Sequence, residues 1–127
     1  MFKILVVDDD DVQRQIYEAV FQVAKFTVIT AKDGQQGWDE FLKEKPDAVF
    51  TGIMMPKLDG FTLTQKIREK SPGFPVIIFS HLGRPEDREK AKEANVDFMV
   101  KGFDSPAEIL KRMQELLDMS EYVKFTD

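Results

Sequence analysis

At 127 residues with a 43% apolar share, the chain is large enough to bury a real core as one domain. A net charge of −5 argues against a broad face for nucleic acid or anionic membrane, and the absence of cysteine excludes disulfides and thiolate chemistry. No run approaches the ~20 apolar residues that span a bilayer, and Met1-Phe2-Lys3 before a short apolar run is no secretion signal. The expectation is a cytoplasmic, membrane-free single domain over 1–127, with its core at 3–118 and a tail at 119–127.

Ile4-Leu5-Val6-Val7 reads as a strand buried on both faces. Four acids follow, Asp8 to Asp11, and either Asp10 or Asp11 suits the cap of a helix. That helix is expected to bury the stripe Val12, Ile16, Ala19, Val20 and Val23. Residues 26–30 read as a second strand. Asp33-Gly34 opens a second helix, with Trp38, Phe41 and Leu42 as its buried face. Gly37 inside that helix costs about 1 kcal/mol relative to alanine.

Ala48 to Thr51 reads as a third strand. A third helix starts near Asp59 and turns Phe61, Leu63 and Ile67 inward. Residues 75–79 form a fourth strand that ends in Ser80-His81. Arg84-Pro85-Glu86-Asp87 starts a fourth helix, with proline at the first helical position and acids in the first turn. Only Ala91 and Ala94 suit its core side, and Asn95 suits a left-handed residue ending it. Phe98-Met99-Val100 reads as a fifth strand, followed by Lys101. Ser105 through Glu108 is a capping box before a helix striped with Ile109, Leu110, Met113, Leu116 and Leu117. Five strands alternating with five helices predict an α/β fold with a parallel sheet covered on both faces.

In such a sheet, sites form beyond the carboxyl ends of the strands. Asp8 and Asp9, Gly52, Ser80 and Lys101 each follow a different predicted strand and should converge on one edge. Adjacent carboxylates suit a hard divalent cation such as Mg²⁺. A hydroxyl and a lysine facing them suit phosphate oxygens. Read alone, each has a plainer role: a dipole complement, a turn serine, a solvated lysine. His81 reads as a loop residue bordering the site, and one histidine cannot build a histidine-rich metal centre.

The segments ILVVDDD, PDAVFTGIMMPKLDG, PVIIFS and VDFMVKG, in that order and spacing, resemble the receiver domain of bacterial two-component response regulators, of the chemotaxis-regulator kind. The likeness covers residues 3 to about 118. It implies a flavodoxin-like, doubly wound (βα)₅ fold with strand order 2-1-3-4-5. It implies Asp8 and Asp9 as Mg²⁺-binding acids, with the backbone carbonyl of Met54 as a further ligand. Ser80 is then the switch hydroxyl, Phe98 the switch aromatic and Lys101 the phosphate-pairing amine. The implied partners are a sensor histidine kinase or phosphotransfer protein, and an output protein or domain met by the face of helix four, strand five and helix five. No direct contact with nucleic acid or membrane is expected, and the expected state is a monomer or weak homodimer.

Two positions depart from that pattern. Gly52 stands where the phosphoacceptor aspartate belongs, so no acyl phosphate forms there and Mg²⁺ loses a ligand. Gly102 stands where a proline usually follows the lysine. The expected function is therefore a phosphorylation-deficient receiver, natural or substituted, that signals through protein–protein contacts and is no enzyme. The alternative is a haloacid-dehalogenase-like phosphotransferase with Asp8 as nucleophile and Asp10 as acid/base. That reading lacks a later acidic pair to complete its metal site.

Overall fold

The computed structural model describes residues 2–81, 83–100 and 104–119. Along them run β1 (Lys3–Val7), α1 (Asp11–Val23), β2 (Thr27–Ala31), α2 (Gly34–Glu44) and β3 (Ala48–Gly52). Then come α3 (Gly60–Lys70), β4 (Val76–Ser80), α4 (Pro85–Glu93), β5 (Asp97–Val100) and α5 (Pro106–Met119). The strands pair in parallel in the order β2-β1-β3-β4-β5, the flavodoxin-like order. Chain order reverses between β1 and β3, so their carboxyl ends open a crevice. Val7 pairs with Thr51 in the β1–β3 register, which sets Asp8 beside Gly52 at that edge.

The alternating sides of each strand feed two cores. Ile4, Val6, Phe50 and Phe79 meet Tyr17 and Phe21 of α1 and Ile109 and Met113 of α5. Leu5, Val7, Val49 and Ile78 meet Phe41 of α2 and Leu63 and Ile67 of α3. In the first core the Phe50 ring stacks on Phe79 at 4.2 Å between centroids and takes Tyr17 edge-on at 4.8 Å. Such aromatic pairs add to the area they remove from water.

Local chemistry sets the helix starts. The Asp10, Asp33 and Asp59 side chains cap α1, α2 and α3 by accepting from Gln13, Gln36 and Thr62 N–H groups. Ser105 does the same for α5, accepting from the Glu108 N–H at 3.2 Å. Asn95, beyond the end of α4, has φ 55°, as expected of a left-handed residue.

Several expectations change. The stripe expected to be buried on α1 faces water instead: Val12, Ile16 and Val23 are 65%, 48% and 80% exposed, Ala19 is exposed and Val20 half-buried. The same helix has a second apolar face, Tyr17 and Phe21, and its larger rings remove more area from water. On α2, Leu42 is exposed, while Phe41 is buried and Trp38 half-buried in parallel stacking on it. On α4, Asp87 is buried together with Ala91. Strands β2 and β3 also run one residue further than expected, to Ala31 and Gly52.

Gly37 has a packing reason. A Cβ there would stand 3.0 Å from a Val7 methyl, so its absence lets α2 lie close on β1.

Phe50→Ala is expected to lower the unfolding free energy by about 3–5 kcal/mol in a urea titration. Val23→Gln should stay within about 0.5 kcal/mol of the parent. Equal losses in both would mean that the α1 stripe is covered.

Candidate functional site

A cavity of about 430 Å³ opens beyond the carboxyl ends of β1, β3 and β4, and Asp8, Asp9, Gly52, Met54 and Ser80 all line it. The ends of β1, β3 and β4 therefore meet at this cavity. Asp8 is almost fully buried, at 1% exposure, whereas Asp9 is exposed and Ser80 half-buried. Asp8 Oδ1 accepts the Asp10 N–H at 3.1 Å. Its backbone carbonyl accepts from Arg14 Nη1 of α1 at 2.8 Å, which ties the helix to the strand end. Lys101 and Gly102 lie outside the described residues.

Gly52 closes β3 and is buried. Its backbone does not require glycine. A Cβ built there meets nothing nearer than 3.9 Å, with Asp8 Oδ1 and the Val7 carbonyl at that distance. The cavity therefore has room for a side chain at 52. Neighbouring Thr51 is fully buried, and its hydroxyl donates to the Gly52 carbonyl at 3.0 Å.

Phe98 does not line this cavity. It borders a separate depression with Gly83, Arg88, Val100 and Asp104, and the Arg88 guanidinium sits 5.2 Å from its ring centre.

Further residues line the cavity, among them His81, Arg84 and Asp87. His81 borders it as expected. Arg84 and Asp87, from the start of α4, were not anticipated as site residues. Arg84 Nε donates to Asp87 Oδ2 at 2.9 Å and its Nη2 to Oδ1 at 3.4 Å. The hydrogen bond to Asp87, then the charge of Asp87, raises the Arg84 pKa above its usual value. Its only signal in the sequence is the Arg-x-x-Asp spacing at a helix start, which a solvated first turn shares.

Mg²⁺ at this cavity would rely on Asp8, Asp9 and a Met54 carbonyl. Among the described residues no three histidine, cysteine, aspartate or glutamate side chains gather to hold a metal ion. Mg²⁺ takes one or two carboxylates and completes its octahedron with waters, so Asp8 and Asp9 are the side chains that would hold it. Asp10 caps α1, its Oδ1 accepting from the Gln13 N–H at 3.0 Å, and the family found for the chain does not favour the phosphotransferase alternative. Among the described residues no helix is long and apolar enough to cross a membrane.

Residues 4–114 match the response regulator receiver domain. The chain is 38% identical over 125 residues to the probable transcriptional regulator ycf27 of Guillardia theta, covering 98% of this chain and 48% of that protein. It is 32% identical over 120 residues to the alkaline phosphatase synthesis transcriptional regulatory protein PhoP of Bacillus subtilis, covering 94% and 50%. The chain thus spans about half the length of the curated relatives it matches. The solved chemotaxis protein CheY4 of Vibrio cholerae superposes with a TM-score of 0.83 at 28% identity, covering 91% of this chain and 98% of that one. The receiver domain of Francisella response regulator 1452 gives 0.85 at 28% identity, covering 93% and 98%.

Tyr17 lies below this site, buried in the first core. Burial, followed by the charges of Asp8 and Asp104, pushes its phenol from 10.0 up to about 12. A raised folded-state value favours the folded protein while the phenol keeps its proton. That contribution is whole below pH 10.0 and is lost as pH rises through about 12. An alkaline ultraviolet titration of the parent and Tyr17→Phe should assign the later of two tyrosine transitions to Tyr17. A Tyr17 transition at the ordinary value would contradict its burial beside the acids.

Proposed function

We infer that this chain, which belongs to the response regulator receiver domain family, is a signalling module that works through protein–protein contacts and takes no phosphoryl group at residue 52. The observation behind this reading is Gly52 itself, at the end of β3 inside the acidic cavity. Phosphoryl transfer to a receiver needs a carboxylate oxygen as nucleophile, and glycine supplies none. The buried Thr51 hydroxyl is turned to a backbone carbonyl, and a serine hydroxyl at 80 lacks a carboxylate's reactivity toward phosphohistidine.

The missing carboxylate at 52 supports weaker Mg²⁺ binding, through Asp8, Asp9 and the Met54 carbonyl. Ser80, Phe98 and Lys101 occupy the family's switch and phosphate-pairing positions in the sequence, without a phosphate at 52 to read. The input partner is a histidine kinase or phosphotransfer protein, and the output partner meets α4, β5 and α5. The likeness to transcriptional regulators supports an output that reaches transcription, with DNA contacted by another domain or protein. The net charge of −5 agrees with that division. Nothing in this scheme turns over a substrate.

Incubation with radiolabelled acetyl phosphate and Mg²⁺ tests the reading. The parent chain should stay unlabelled and Gly52→Asp should take up label, since the site has room for the side chain. Label on the parent would overturn it. Gly52→Asp also adds a carboxylate beside Asp8 and Asp9, and like charges raise each other's cost of ionisation. Its melting temperature should fall below that of the parent without Mg²⁺ and rise more steeply with Mg²⁺. A variant that melts higher without metal would contradict this account of the charges.

A further inference from the structure

Helix α1 turns one apolar face to the core and another straight out to water. Val12, Ile16, Ala19 and Val23 are all exposed, while Tyr17 and Phe21 on the opposite side are buried. The four outward residues follow at steps of four, three and four, the spacing of an a/d seam in a coiled coil. Gln13, Gln15, Val20 and Gln22 stand along the flanks of that seam, and none of them is charged. Flanking charges select an unlike helix as partner, whereas uncharged flanks raise no repulsion between identical helices.

The ends of the helix are charged, and with opposite signs. Asp9, Asp10 and Asp11 lie exposed at its start, and Lys25 lies exposed just beyond its end. A parallel pair of such helices would set acids against acids. An antiparallel pair sets the acids of each chain beside Lys25 of the other and opposes the two helix dipoles. The same orientation matches sizes. About a two-fold axis between residues 16 and 19, Ile16 of each copy meets the small Ala19 of the other, and Val12 meets Val23. In a parallel pair Ala19 would face Ala19 and leave the seam hollow there.

We propose that α1 is a self-pairing surface: two copies of this chain associate through antiparallel α1 helices, along the seam Val12, Ile16, Ala19 and Val23. The helix has 13 residues, about 20 Å, so the contact falls short of the ~1,200 Å² that specific stable complexes bury. The pair is therefore weak, formed at high concentration and dissociated on dilution. Helix α1 packs on β1 and β2, and β2 is the sheet edge opposite β5. The pairing thus leaves the α4–β5 side of each copy open. Because α1 starts beside the cavity, the antiparallel arrangement sends the two acidic cavities to opposite ends of the dimer. It holds whatever residue 52 carries, and so stands apart from the reading of the site.

Sedimentation velocity on the full chain over a concentration series tests the pairing. The parent should sediment as a monomer when dilute and shift toward a dimer as concentration rises. Ile16→Lys puts a charge in the seam at an exposed position. It should weaken association by about tenfold or more while keeping the parent's circular dichroism. Arg112→Ala breaks an ion pair with Asp97 on the α5–β5 side and should leave association unchanged. The chain has no cysteine, so single thiols report direction. In an oxidised mixture of Ile16→Cys and Ala19→Cys chains, the mixed disulfide should form ahead of either like pair. A parent that stays monomeric at every concentration would overturn the proposal and leave the seam to a helix of another protein. A dimer that forms only once residues 120–127 are removed would overturn it too, since the tail would then be what covers the seam. A dimer indifferent to Ile16→Lys, or like pairs of disulfides forming first, would do the same.

Discussion

Two carboxylates, Asp8 and Asp87, are almost entirely withdrawn from water on the walls of one cavity. Removing a charge from water without partners is prohibitive, so everything around them is arranged to compensate. Asp8 is met by the Asp10 N–H at the start of α1. Asp87 is met by a guanidinium from the residue that begins α4. The helix starts on the carboxyl side of the sheet are thus fixed in part by the acids beneath them.

The parallel sheet makes that arrangement possible. Its strands all deliver their carboxyl ends to the same edge, and the reversal of order between β1 and β3 leaves a gap there. Packing of aromatic rings around Phe50 and Phe79 holds the ends of β3 and β4 in register under the cavity. The same rings bury Tyr17, whose phenol is in turn affected by Asp8. Core and site therefore share atoms, and a change in one is felt in the other.

Gly52 sits on this edge, and nothing crowds the place of its missing side chain. Gly37 is glycine because a helix lies close on a strand, whereas at 52 a Cβ would have ordinary space. The fold does not ask for glycine there. The acidic surroundings are the same ones that make a further carboxylate at 52 unfavourable without a cation. With no side chain at 52, α4 is still connected to the cavity through Arg84 and Asp87.

The strands, the helix starts and the meeting of strand ends were legible in the residues themselves. A run such as Ile4–Val7 buries both faces, and Asp10, Asp33, Asp59 and Ser105 each cap a helix through a bond to an N–H three positions on. Such signals act within a turn or two of chain, so the local sequence is enough to determine them. The sides that face inward were not settled this way. Helix α1 carries two apolar faces at the same helical spacing, and only the aromatic rings of the sheet decide that Tyr17 and Phe21 go in and Val12, Ile16 and Val23 stay out. Asp87 likewise reads as a solvated acid in a first turn until the strand ends bury it and Arg84 neutralises it. Burial depends on what lies opposite, and residues distant in the chain supply that only when the sheet has formed.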